Sequence, residues 1–260
     1  MNSPEVINVE SYHRERETLI TESDTRAIVK ILADIAILND QPISKKRLLL
    51  EQLANYINAD HWMSALRIQK SVDDAPNFVG LLHSGFTPEQ LARLAESAVH
   101  PSTKAIDSPH AMALADKNIQ HLTLRLEDFD QQGLWPGSPA AELAKQADVG
   151  TFLSSTRKLY GDGDGEIKSS MMVFYRSPGN PCFSERERRI AHIVLTEVNW
   201  LHTDVWPPEF LFEKTSDLPP RYLVLLSLLV HGNSRQKIAE AMSLSINTCL
   251  LYTSPSPRDS

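Results

Sequence analysis

Cysteine is almost missing from this 260-residue chain, which holds two copies. Cys182 and Cys249 are too few for a disulfide framework and lack the paired spacing of a thiolate metal site. Long apolar runs are missing as well. A membrane span needs roughly 18 apolar residues, and the nearest run, Tyr222 to Val230, falls well short. Met1 to Glu17 is polar and charged where a secretory leader needs an apolar centre, so the expected compartment is the cytoplasm. The chain has no G-x-S-x-G elbow, P-loop, dinucleotide fingerprint or H-E-x-x-H pair, and Ser84-Gly85 alone does not make a nucleophile site. Nine histidines without ligand spacing do not argue for zinc. The expectation is a protein that is not an enzyme and carries no metal or cofactor.

The length accommodates two domains, and 42% hydrophobic residues supply real cores. A net charge of −7 argues against a surface that coats nucleic acid throughout. The charge is uneven, however. Leu218 to Thr248 carries +2 and the remainder −9, a split that suits a chain touching DNA through one module or, equally, a solvated basic face.

Residues 1–22 lack a sustained period and read as a loose arm. Ile28, Ile31, Leu32, Ile35 and Leu38 recur at helical spacing, and Pro42 marks the break before a second helix, capped by Ser44, with Leu48, Leu49, Leu53, Tyr56 and Ile57 on one face. His61 to Gln69 alternates and Phe78 to Leu82 is a short apolar run, which together predict paired strands. Thr87-Pro88-Glu89-Gln90 is a helix start with threonine at the cap, proline at the first position and glutamine closing a capping box. Pro101 and Pro109 punctuate the next stretch, after which Ile119 to Leu126 reads as a strand. Glu127 to Gly137 is a loop, Ser138-Pro139 opens a helix to about Ala147, and strands follow at Thr151 to Tyr160 and Ser169 to Arg176. Ser184 and Glu187 form a capping-box pattern for a helix reaching His202. Residues 203–217, with Pro207 and Pro208, form a linker. Residues 23–202 are therefore expected to form one α+β domain, with helices gathered on an antiparallel sheet.

Two features of this half invite chemistry. Asp162-Gly163-Asp164-Gly165-Glu166 is acidic, but the glycine falls fourth where a calcium loop needs it sixth, so a solvated hairpin turn competes with a cation site. Trp62, Phe78, Trp135, Phe152 and Phe174 are candidates to line a small-molecule pocket, with ordinary core packing as the alternative.

At the other end, Leu218, Tyr222, Leu225, Leu226 and Leu229 share one helix face. Gly232 supplies a helix exit, Ser234 caps a second helix carrying Ile238, Ala239 and Met242 inward, and Ser245 caps a third. Three short helices with such turns describe a helix-turn-helix, with a plain helical hairpin as the alternative. The residues Leu218, Pro220, Arg221, Leu225, Leu226, Leu229, Gly232, Ser234, Ile238, Ala239, Glu240, Leu244, Ser245 and Thr248 resemble, in unbroken register, the LuxR-type (NarL/FixJ-like) DNA-binding domain over 31 residues. One departure is Tyr222, where that family usually carries an acidic residue.

The resemblance implies a transcriptional regulator that binds promoter DNA as a homodimer. Its DNA contacts here would involve Lys237, Ser245, Asn247 and Thr248. Some regulators of this type carry a GAF-like or PAS-like N-terminal sensor domain, and the loose motifs of such sensors are matched by His100-Pro101, Arg125-Leu126-Glu127-Asp128 and Phe183-Ser184-Glu185-Arg186-Glu187-Arg188. An unidentified small-molecule ligand is the implied signal. A small-molecule sensor or protein-interaction module without DNA binding is the alternative.

After Thr248 the pattern stops. Cys249 to Ser260 reads CLLYTSPSPRDS, where Pro255 and Pro257 forbid a continuing helix and no basic face follows. These residues look like the conceptual translation of a sequencing adapter, with a natural disordered tail as the competing reading. The expectation is a DNA-binding domain, residues 218–248, cut within its recognition helix and followed by a non-native tail at 249–260.

Overall fold

Strand alternation decides the architecture, because a β-strand sends successive side chains to opposite faces of its sheet. The computed structural model describes residues 19–39, 42–69, 76–116, 118–159 and 167–203, together with Gln236 and Ala239. Its strands are β1 (His61–Gln69), β2 (Asn77–Ser84), β3 (His121–Arg125), β4 (Thr151–Leu159) and β5 (Ile167–Arg176). They form one antiparallel sheet in the order β2-β1-β5-β4-β3, so the chain is α+β.

On one face lie α1 (Glu22–Ala36), α2 (Pro42–Tyr56) and α7 (Glu185–Glu197). Ile28, Ile31 and Ile35 of α1, Leu49 and Leu53 of α2, and Ile190 and Val194 of α7 bury themselves against Trp62, Leu153, Met172 and Phe174. Trp62 pairs directly with Phe174 across β1 and β5, which fixes both on this face. The helices are tied together by charge. Asp24 closes a capping box with Thr21, and its carboxylate also accepts from the Tyr56 hydroxyl at 2.6 Å and from the Arg186 guanidinium of α7.

The opposite face is covered by α3 (Pro88–Val99), α4 (Pro101–Ala115), the short α5 (Leu126–Phe129) and α6 (Pro139–Gln146). Leu91 and Leu94 of α3 and Ala144 of α6 pack with Phe86, Val149, Val173 and Tyr175. Ala239 is 2% exposed and belongs to this cluster.

The expected capping boxes at Thr87 and Ser184 are present with both bonds, and Ser138 caps α6. Four details differ from the sequence expectation. Residues 101–115, expected to be broken by prolines, form the helix α4: Pro101 takes the first position, where no amide partner is needed, and the helix continues through Pro109 at the loss of one backbone bond. Helix α2 begins at Pro42 rather than after Ser44, by the same first-turn tolerance of proline. The predicted helix to His202 breaks at Val198, whose backbone (φ −94, ψ 80) leaves the helical region before α8 (Trp200–Thr203). The Glu127 to Gly137 loop begins inside α5.

Strand β2 carries a bulge. Ser64 pairs with Leu82 but Leu66 pairs with Val79, so two residues, Gly80 and Leu81, oppose the single Ala65. Gly80 has φ +63, the left-handed backbone that favours glycine. The extra residue keeps Leu82 on the Trp62 face while Phe78, opposite Arg67, turns to the other face. The Asp162 to Glu166 turn and residues 1–18 lie outside the described residues. So does the helix-turn-helix stretch, apart from Gln236 and Ala239.

Candidate functional site

Between the sheet and α3 to α6 lies a cavity of about 400 Å³. Its floor is the sheet. Arg67 and Gln69 of β1, Phe78 of β2, Phe152 and Ser154 of β4, and Met171, Val173 and Tyr175 of β5 all project into it. Its roof is helical, formed by Leu94, Ser97 and Ala98 of α3, by Thr103, Lys104, Ile106, Asp107, His110 and Ala111 of α4, and by Phe129 and Ala144. A smaller recess of about 100 Å³, lined by Met63, Leu81, Leu91 and Ala95, shares Phe78, Leu94 and Tyr175 with it.

The roof is pinned by hydrogen bonds between helices. Ser97 Oγ donates to the Ala140 carbonyl at 2.8 Å, and Thr103 Oγ1 donates to the Ser97 carbonyl at 2.6 Å. The Ala140 amide donates to Ser102 Oγ at 3.3 Å, joining α4 to α6. His100 caps α4, its Nδ1 accepting from the Ser102 amide at 3.2 Å. The loop that delivers Trp135 is folded around the Asp130 carboxylate, which accepts from the Leu134 and Trp135 amides at 2.6 and 2.7 Å. Trp135 then meets Phe152 edge-on at 6.0 Å between ring centroids, and Phe129 meets Phe152 at 5.4 Å.

One polar constellation stands among these apolar groups. Arg67 Nη2 donates to Asp107 Oδ2 at 2.9 Å, and His110 Nδ1 lies 3.0 Å from Asp107 Oδ1. The Arg67 and His110 side chains are 1% and 3% exposed. Burial alone would raise the Asp107 carboxyl, but the hydrogen bond from His110 and the charge of Arg67 outweigh it and hold the group below the usual carboxylate range. Tyr175, at the floor, is pushed far above the ordinary phenol value by burial and stays a neutral hydroxyl. Such a site, largely apolar with a few fixed polar groups, can orient a small amphiphilic molecule.

The sheet divides the five aromatic candidates. Phe78, Trp135 and Phe152 come together around the cavity, whereas Trp62 and Phe174 lie in the core on the far face. Arg67, Asp107, His110 and Tyr175 were not singled out by sequence. A signal for Arg67 was present: an arginine flanked by Leu66 and Ile68 inside a strand has the opposite parity to Trp62. The DNA-contact candidates Lys237, Ser245, Asn247 and Thr248 lie outside the described residues.

A second titratable cluster sits on the far face, away from the cavity. His121 Nε2 bonds Ser155 Oγ at 2.7 Å, Thr123 Oγ1 bonds His192 Nδ1 at 2.9 Å, and His202 Nε2 donates to the Leu195 carbonyl at 2.7 Å. Burial first, then neighbouring positive charge, pushes His121 down to about 3. Burial likewise pushes His202 down to about 4, against the raising effect of its bond to Leu195. Among the described residues no group of three or more His, Cys, Asp or Glu could hold a metal ion, and no helix is long and apolar enough to cross a membrane.

Neither a family model nor a curated protein sequence matches the chain. Among solved structures it is similar to Escherichia coli SdiA at 14% identity, covering 86% of this chain and 86% of SdiA, with a TM-score of 0.33. It is likewise similar to SdiA in complex with octanoyl-rac-glycerol, at 15% identity over 90% of this chain and 87% of that one, with a TM-score of 0.34. The ligand-binding domain of VqsR from Pseudomonas aeruginosa is 12% identical, with 70% of this chain and 95% of that domain covered and a TM-score of 0.37.

Proposed function

We propose that residues 23–202 form a small-molecule sensor domain, GAF-like or PAS-like in character, that regulates transcription through the LuxR-type helix-turn-helix of residues 218–248. The observation that carries the sensing half is the roofed cavity of about 400 Å³ holding a buried arginine among aromatic and aliphatic side chains. Such a volume lies at the small-ligand end of binding pockets. Phe78, Trp135 and Phe152 are the aromatic contacts in this reading. The DNA half rests on the fourteen residues between Leu218 and Thr248. There Lys237 and the helix start at Ser245, Asn247 and Thr248 would meet phosphates, and a homodimer would span two half-sites.

Helices α4 and α6 close the cavity through few bonds, which gives a ligand a means of biasing the conformation of the roof. A ligand acts only by binding one conformation better than another. The experiment is a paired measurement on the chain with residues 249–260 replaced by a basic amphipathic helix. Salt-dependent promoter binding that changes with ligand supports the regulator. Ligand binding without any DNA binding supports a sensor that acts through a protein partner, and absence of both contradicts the proposal.

A further inference from the structure

We infer that the molecule taken by this cavity carries a carboxylate on an apolar body, with Arg67 as the anchor for the carboxylate. The inference rests on the sensor reading above and names the chemistry of its ligand. Nη2 of Arg67 is engaged by Asp107, but no described residue accepts from Nη1, which is buried. A buried guanidinium nitrogen without an acceptor is costly, and a ligand oxygen would remove that cost.

Asp107 does not supply the second acceptor, since neither of its oxygens takes Nη1. Its Oδ2 takes Arg67 and its Oδ1 takes His110. Arg67 and Lys104 are the arginine and lysine on the cavity wall and Asp107 is the one described acid there, so the wall carries positive charge in excess. No described residue pairs with Lys104, which stands in the first turn of α4 at the partly positive end of that helix. One open arginine nitrogen and an excess of positive charge match an anionic oxygen on the ligand. A neutral head group would leave the excess unanswered, and a phosphate brings more anionic oxygens than the single open nitrogen can meet. Most of the rest of the wall, including Phe78, Ile106, Phe129, Phe152 and Val173, is apolar, so the body of the ligand is largely hydrocarbon-like.

The test uses the full chain and three probes of one length: decanoate, decanamide and decyl phosphate, titrated by calorimetry near neutral pH. Decanoate is expected to bind roughly tenfold or more tighter than decanamide, the margin of a charge-assisted hydrogen bond over a neutral one. Lys104→Gln, at an exposed position, should narrow that margin. Asp107→Asn, which removes the competing negative charge while keeping an acceptor for Arg67, should widen it. A merely structural role for Asp107 would instead weaken both probes alike.

Equal affinity for decanoate and decanamide overturns the carboxylate inference while leaving the cavity a binding site. Tighter binding of decyl phosphate overturns it in favour of a different anion. Binding of none of the three overturns it together with the apolar-body argument. The sensor reading is then judged separately, by whether neutral amphiphiles stabilise the chain to heat.

Discussion

Arg67 of β1 and Asp107 of α4, forty residues apart, meet at 2.9 Å and tie sheet to roof by charge across the cavity. Removing the carboxylate leaves a guanidinium that is 1% exposed without its counter-charge. Asp107→Ala should therefore lower stability by about 3 kcal/mol, the cost typical of breaking one side of a buried pair. Asp107→Asn should cost clearly less, because its amide oxygen still accepts from Arg67. Urea unfolding followed by circular dichroism measures both.

The two faces of the sheet predict opposite outcomes for aromatic substitutions. Phe174 is 0% exposed in the far core, so Phe174→Ala should cost about 3–5 kcal/mol of stability. It should leave the ratio of decanoate to decanamide affinity unchanged. Phe152 lies at the cavity against Trp135 and Phe129, and Phe152→Ala should weaken decanoate on the order of tenfold through lost aromatic contact. Equal effects of both substitutions on binding would contradict the placement.

How far this division is legible in the sequence depends on the range of the interactions. The starts of α3, α6 and α7 are readable because Thr87, Ser138 and Ser184 cap helices within three residues of themselves. Helix α4 is not. Its two prolines suggest interruption, and its apolar residues form no clean stripe, because Ile106, Ala111 and Leu114 are buried by a roof that only the tertiary fold supplies. The Phe78 orientation depends on the bulge at Gly80, a pairing event between strands. The Arg67, Asp107 and His110 constellation joins β1 to α4, so no local pattern announces it.

Acid should loosen the far face. The folded-state values of His121 and His202, about 3 and about 4, lie below the ordinary histidine value of 6.5. The unfolded chain therefore binds more protons than the folded one between pH 6.5 and those values. Their contribution is fully present above pH 6.5 and falls by about 1.4 kcal/mol per pH unit per histidine as the solution is acidified. His202→Asn should flatten the slope of stability between pH 6 and 4, measured by thermal unfolding across that range.

Asp24 should add a second acid step at lower pH. Burial raises its carboxyl, but the hydrogen bonds from Arg186, Tyr56 and Thr21 outweigh burial and hold it well below the usual range. The stability it contributes is present above the unfolded value of about 3.9 and is lost as pH falls towards the folded one. Asp24→Ala also removes the capping box of α1, so a loss of about 1–3 kcal/mol at neutral pH is expected. The same variant should show a shallower decline in stability below pH 4 than the parent chain.

The central claim is that a ligand binds between the sheet and the helices α3 to α6. Amide hydrogen exchange of the full chain, with and without saturating decanoate, tests it most directly. The account predicts added protection in Pro101–Ala115 and Pro139–Gln146, with Glu22–Ala36 and Glu185–Glu197 unchanged. Protection confined to the latter two helices, or absent throughout at saturation, would contradict it.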